Sequence, residues 1–149
     1  DPAADYPAGI VALNATVHTT KRQIAADQFF TGMFETALEP GELITKVVFP
    51  VADKAAYMKF PTPASRYAMV GVFVAKTKDG VRVAVTGAPP SVFRSKEMEA
   101  ALAKSFTPEA VANIKVSPDG LNSDLHGSAA YRAHLVTVMA KRAVAKALA

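Results

Sequence analysis

Three histidines, His18, His126 and His134, are the side chains of this 149-residue chain best suited to proton transfer or metal ligation near neutral pH. They stand far apart, and none has a partner at the i, i+4 spacing that places two ligands on one helix face. Each reads as an exposed or edge histidine. A Ser-His-Asp triad assembles in space rather than in sequence, but no Gly-x-Ser-x-Gly elbow is present to present a nucleophile. The chain has no cysteine, which excludes disulfides, thiolate catalysis and cysteine-ligated zinc or iron–sulfur clusters within it. Neither GxGxxG nor GxxxxGK[ST] occurs, so no phosphate-cradling loop is visible. Gly71, Gly80 and Gly87 are isolated and read as turn or packing positions. Chemistry alone therefore describes a domain without a visible catalytic constellation.

The elements that would position any site follow from length and composition. With 149 residues there is mass for a real core, and 50% hydrophobic against 20% charged residues is a globular, soluble profile. No apolar run approaches the roughly 20 residues of a membrane span, and the acidic, Pro-containing Asp1–Ala8 is no signal peptide. A cytoplasmic setting agrees with both, and an initial Asp without Met is expected of a cut or truncated product. The net charge is +4 and the pI near 9.4, yet the bases are scattered. Only Lys141, Arg142 and Lys146 gather at one end, so no nucleic-acid partner is expected.

Along the chain, Tyr6 to Leu13 reads as a short helix capped by Asp5. Ala15–Thr20 is a β-branched strand, Lys21-Arg22 a turn, and Gln23–Ala25 pairs back. Asp27 is placed to cap a short helix through Phe29 and Phe30 that ends near Gly32, and Leu43–Phe49 is a strand stopped by Pro50. Val51–Ala56 reads as a linker, and Tyr57–Phe60 as a short strand broken by Pro61 and Pro63. Val70–Thr77 and Val81–Gly87 flank Lys78-Asp79-Gly80, a hairpin in which Asp-Gly supplies the positive φ angles. Val81, Val83 and Val85 share one face; Arg82, Ala84 and Thr86 share the other, so one face should meet a core. Helices follow from Ser95 or Lys96 to Lys104, from Thr107-Pro108-Glu109 to near Ile114, and from Ser128 almost to the end. Tyr131, Leu135, Val138 and Met139 form the apolar stripe of the last helix. Strands first and helices last predict an α+β fold, an antiparallel sheet followed by a C-terminal helical cluster on one side.

The string DQFFTGMFETALEPGELITKVVFP (Asp27–Pro50) resembles the flavin-binding medium subunits of the molybdenum hydroxylases, the family of aerobic carbon monoxide dehydrogenase and xanthine dehydrogenase. DPAADYPAGIVALNATV and RQIAADQFF precede its later part in the family's order, and KFPTPASRYAMVGVFVAK, VRVAVTG and YRAHLVTVMAKRAV follow it. The resemblance is nearly end to end, and its strength lies in the ordered set. It implies that residues 1–50 are the C-terminal remnant of an FAD-binding domain and 51–149 the family's C-terminal domain. The family's pyrophosphate-binding Gly-rich loops fall before the position of Asp1.

The resemblance further implies FAD in the intact subunit, with a molybdenum-cofactor large subunit and an iron–sulfur small subunit as partners. Electrons would pass from the clusters through FAD to an acceptor. Asp5 is similar to the family's aspartate that reaches the flavin nucleotide, where a carboxylate can accept from hydroxyls. Leu43 and Ile44 resemble the strand that lies against the isoalloxazine, and Lys59 a lysine near the flavin. From the residues alone the bland readings stand beside these: a helix cap for Asp5, sheet core for Leu43 and Ile44, a solvated side chain for Lys59. A non-catalytic subunit-docking or scaffold domain is the competing function; it would bind a partner without flavin.

Overall fold

The computed structural model describes residues 1–149. Helix α1 (Tyr6–Ala12) leads into a three-stranded antiparallel sheet built from β1 (Thr16–Thr19), β2 (Gln23–Ala25) and β5 (Ile44–Val48), in the order β2-β1-β5. Between β2 and β5 lie α2 (Ala26–Phe29) and a small hairpin of β3 (Phe30–Gly32) and β4 (Glu35–Thr36). The hairpin was not legible: its turn needs a positive φ at Phe34 (58°), a conformation an aromatic residue does not advertise. The second helix accordingly ends at Phe29, short of the Gly32 expected.

A four-stranded antiparallel sheet follows, β6 (Lys54–Pro61), β7 (Ala68–Thr77), β8 (Gly80–Thr86) and β9 (Phe93–Arg94), in sequence order. Lys54–Ala56 is strand rather than linker, because Lys54, Ala55 and Ala56 pair with Lys76, Ala75 and Val74 of the long β7. Pro61 is tolerated because β6 is an edge strand and the register shifts there. The expected hairpin is present with Thr77 opposite Gly80, but only Gly80 takes a positive φ (124°). Asp79 instead donates its amide to the Thr77 hydroxyl.

Strand periodicity sorts this sheet into two faces. Val70, Val72, Val74, Val83 and Val85 point into the main core, where Met98, Leu102, Val136 and Met139 are also fully enclosed. That core is covered by α3 (Lys96–Lys104), α4 (Pro108–Val111) and α5 (Ala129–Leu148). The buried stripe of α5 includes the expected Leu135 and Met139 and extends further round the helix: Val136, Ala140, Ala143 and Val144 are also enclosed, whereas Val138 is half-buried and Tyr131 is 40% exposed. Ala140 and Ala143 let the helix approach the sheet closely, and sequence hydrophobicity undervalues them.

The helices are not confined to one side. The opposite face carries Phe73, Ala75 and Ala84, and α1 lies on it through Ala8, Val11 and Ala12. The N-terminal segment is bound to the same sheet by backbone. Gly87 N–H donates to Pro2 O at 2.7 Å, and Ala68 N–H to Ala3 O at 3.3 Å.

Gly87 closes this arrangement. Its φ is +80°, a Cβ there would overlap the Ala68 carbonyl, and its own carbonyl accepts from Arg132 Nη1 and Asn122 Nδ2. Gly87→Ala should lower stability by about 2 kcal/mol or more, since left-handed backbone and a backbone clash combine. A reduced urea midpoint with unchanged slope is the expected result.

Candidate functional site

Asp5 stands at the start of α1, but it does not cap the helix. Its φ and ψ are already helical, its side chain makes no capping bond, and Pro7 in the first turn has no N–H to offer. The carboxylate turns to the sheet instead. Tyr57 Oη donates to Oδ1 at 2.6 Å, and Lys59 Nζ reaches Oδ2 at 2.7 Å. Tyr57 and Lys59 are two apart on β6 and so share the α1 face.

The next strand makes room for this cluster. Lys59 lies opposite Gly71 and Tyr57 opposite Phe73. The two rings stack with centroids 6.0 Å apart, and a Cβ on Gly71 would overlap the Tyr57 oxygen. Burial, and then the hydrogen bond and charge of Asp5, raise the Tyr57 pKa far above the ordinary phenol value, so Tyr57 stays a donor. Asp5 remains 47% exposed at its side chain and borders a hollow of about 360 Å³ lined by Tyr6, Leu13, Phe49, Tyr57 and Phe73. The arrangement presents a fixed carboxylate, charge-balanced by one lysine, at the rim of an aromatic hollow. That is a hydrogen-bond acceptor site beside an apolar surface.

Leu43 and Ile44 are elsewhere. They are 66% and 47% exposed, so sheet core does not describe them. Ile44 opens β5 and Phe49, beside the hollow, follows its end; at about 3.4 Å per residue the two lie roughly 17 Å apart. Their setting is fixed by Glu42, a buried carboxylate in the Glu39–Leu43 turn. Glu42 accepts from the Thr19 hydroxyl (2.6 Å), Arg22 Nε (3.1 Å) and Nη2 (3.2 Å), and the Glu39 amide (2.8 Å). Leu43 in turn donates its amide to Thr20 Oγ1 and accepts the Thr20 amide at its carbonyl. The hydrogen bonds from Arg22, Thr19 and Glu39 lower the Glu42 pKa to about 2.

A second carboxylate bridges the two halves of the chain. Asp27 sits within α2 rather than at its cap, and takes Arg82 Nη1 and Nη2 at 2.8 and 3.0 Å and Arg94 Nη1 at 2.8 Å. Burial works to raise its pKa, but the hydrogen bonds and charges of the two arginines outweigh that and lower it. Arg94 also grips Glu99 of α3, whose carboxylate accepts the Val83 amide. Tyr57, Glu42 and this arginine pair escaped the sequence reading because each depends on long-range register. His18, His126 and His134 remain apart on β1, in the loop before α5 and on α5, and no three His, Cys, Asp or Glu side chains group as a metal site.

The family profile described as "FAD binding domain in molybdopterin dehydrogenase" matches residues 1–52, and that of the "CO dehydrogenase flavoprotein C-terminal domain" matches residues 55–147. The glyceraldehyde dehydrogenase medium chain of Sulfolobus acidocaldarius is 35% identical over 96% of this chain and 56% of its own. The nicotine 6-hydroxylase medium subunit of Paenarthrobacter nicotinovorans is 34% identical over 99% and 57%. Among solved structures, reconstituted CO dehydrogenase from Oligotropha carboxidovorans superposes with a TM-score of 0.84 at 28% identity, over 99% of this chain and 57% of that one. The chain thus spans little more than half the length of the proteins it matches.

Glu42 yields a pH prediction. Its folded pKa lies below its unfolded value of 4.5, so its contribution is fully present above that pH and is lost as pH falls toward about 2. Glu42→Gln should therefore be clearly less stable than the parent at neutral pH, and the gap should narrow through this acid window. Denaturant melts across the pH series measure it.

Proposed function

This chain belongs to the family of the CO dehydrogenase flavoprotein, the FAD-binding medium subunit of molybdenum hydroxylases, and from that premise we propose that it is the C-terminal part of such a subunit. In the intact complex the subunit would stand between the iron–sulfur clusters of a small subunit and an electron acceptor, with substrate oxidised at a molybdenum-cofactor large subunit. The medium chains and subunits among its relatives support that setting. We place the division between the FAD-domain portion and the C-terminal domain at residues 50 and 51; the profile limits at 52 and 55 support it. No helix is long and apolar enough to cross a membrane, which accords with the cytoplasmic setting we propose.

The observation that carries the reading is Asp5 itself. The residues present suit a flavin nucleotide: a carboxylate with one acceptor position used on each oxygen, next to an aromatic hollow. When bound, FAD supplies redox chemistry that the side chains lack. Asp5 would hold its hydroxyls, Lys59 would hold the Asp5 carboxylate in place through the 2.7 Å ion pair, and Leu43 and Ile44 would offer an exposed apolar platform to a flat ring. The exposure of Leu43 and Ile44 on a braced turn supports that last role. The chain's work is binding, orientation and exclusion of water.

Absorbance after incubation with excess FAD and desalting tests this. The intact polypeptide should retain flavin bands, and Asp5→Ala should weaken FAD affinity about tenfold, as loss of a charged acceptor does. A colourless protein that takes up no FAD would overturn the reading.

A further inference from the structure

We infer that Tyr57 is a positioning residue for Asp5: it draws the carboxylate off the helix end and aims it as an acceptor for a polyol, the hydroxylated chain or ribose of a flavin nucleotide. This rests on the reading of Asp5 just proposed. It adds a residue with no part in the family resemblance, and a reason for it.

An aspartate just before a helix ordinarily accepts from first-turn amides, a bond worth about 1 kcal/mol. Asp5 forgoes that bond. Its two oxygens go instead to a phenol and an ammonium from neighbouring positions on one strand face, at 2.6 and 2.7 Å. Local rules are broken in this way where a side chain is held for another purpose. A cluster serving only to fasten α1 to the sheet would be redundant. That fastening is already made by the alanine contacts, by Arg82 Nη1 on the Val11 carbonyl at 2.9 Å, and by the Pro2 and Ala3 backbone bonds.

The donor is itself immobilised. Tyr57 stacks on Phe73, and Gly71 leaves the space its oxygen occupies. Its raised pKa keeps the proton on the phenol throughout the neutral range. A carboxylate offers about four acceptor positions, and two are taken. That leaves one acceptor position on each oxygen of a side chain that is 47% exposed, enough for adjacent hydroxyls of a polyol to be accepted together. Lys59 balances the charge, so the phosphates that a flavin nucleotide carries meet less repulsion at Asp5.

A mutant cycle on FAD affinity in the intact polypeptide decides it. Tyr57→Phe keeps the stacked ring and removes only the hydroxyl. It should weaken FAD binding about tenfold, as Asp5→Asn should, and the double variant should lose no more than either single one. Gly71→Ala, which displaces the phenol oxygen, should reproduce the loss. Riboflavin and ADP as separate ligands locate the hydroxyls: a loss with riboflavin assigns the ribityl chain, a loss with ADP the ribose. A loss with neither overturns the polyol assignment. If Tyr57→Phe changes melting temperature but leaves FAD affinity within about twofold, or if the losses multiply, the inference falls while the reading of Asp5 stands. If Asp5→Asn binds FAD as tightly as the parent, both fall.

Discussion

Everything near the candidate site depends on how the second face of the four-stranded sheet is covered. That face is built of small side chains, Ala75 and Ala84, beside the ring of Phe73. Ala8 and Ala12 of α1 meet them, so helix and sheet approach closely and exclude water with little apolar bulk. Alanine loses no side-chain rotamer entropy on burial, which makes such a contact favourable despite its modest area. Because α1 is seated by these residues on β7 and β8, its N-terminal end is brought toward the neighbouring β6. Asp5 then arrives within hydrogen-bond distance of Tyr57 and Lys59. The site is a consequence of small-residue packing several residues away.

Charged groups do the remaining alignment, and each carries its own compensation. Buried or half-buried carboxylates are tolerable only with donors in place. Glu42 has four, Asp27 has a bidentate arginine and a second arginine, and Glu99 has Arg94 and an amide. Arg132, 4% exposed, spans the Met69 and Gly87 carbonyls and Asp124, so the loop before α5 is tied to the strand ends. These ties join segments far apart in sequence. They set the three-stranded sheet, the four-stranded sheet and the helices in one orientation, which apolar contacts alone, being non-directional, would leave loose.

The fold was largely legible where periodicity is strong. The valine alternation of β7 and β8, the Leu43–Phe49 strand and the last helix all lie where the pattern places them, within a residue or two of the ends. It failed where tertiary context overrides local preference. Lys54–Ala56 is polar and alanine-rich, and becomes strand only because β7 extends far enough to pair with it. The β3–β4 hairpin depends on a strained Phe34, and β9 is two residues held against β8. The candidate site was half legible. Asp5 and Lys59 are brought together, 2.7 Å apart, while Leu43 and Ile44 lie at the far end of β5 from the hollow.

By itself the sequence determined the class of structure, the strand faces, the absence of thiol chemistry and the ordered motifs that mark the family. Those properties are local: they depend on residue type and on spacings of two or about 3.6. Only the tertiary structure decided what the polar side chains do. Asp5 and Asp27 both read as helix caps, and both are instead drawn across to partners 52 to 67 residues away. A cap competes for the carboxylate with whatever the fold places beside it, and an arginine fork or a phenol and an ammonium together outweigh one first-turn amide. No spacing rule records that competition, because its other participants are chosen by sheet register.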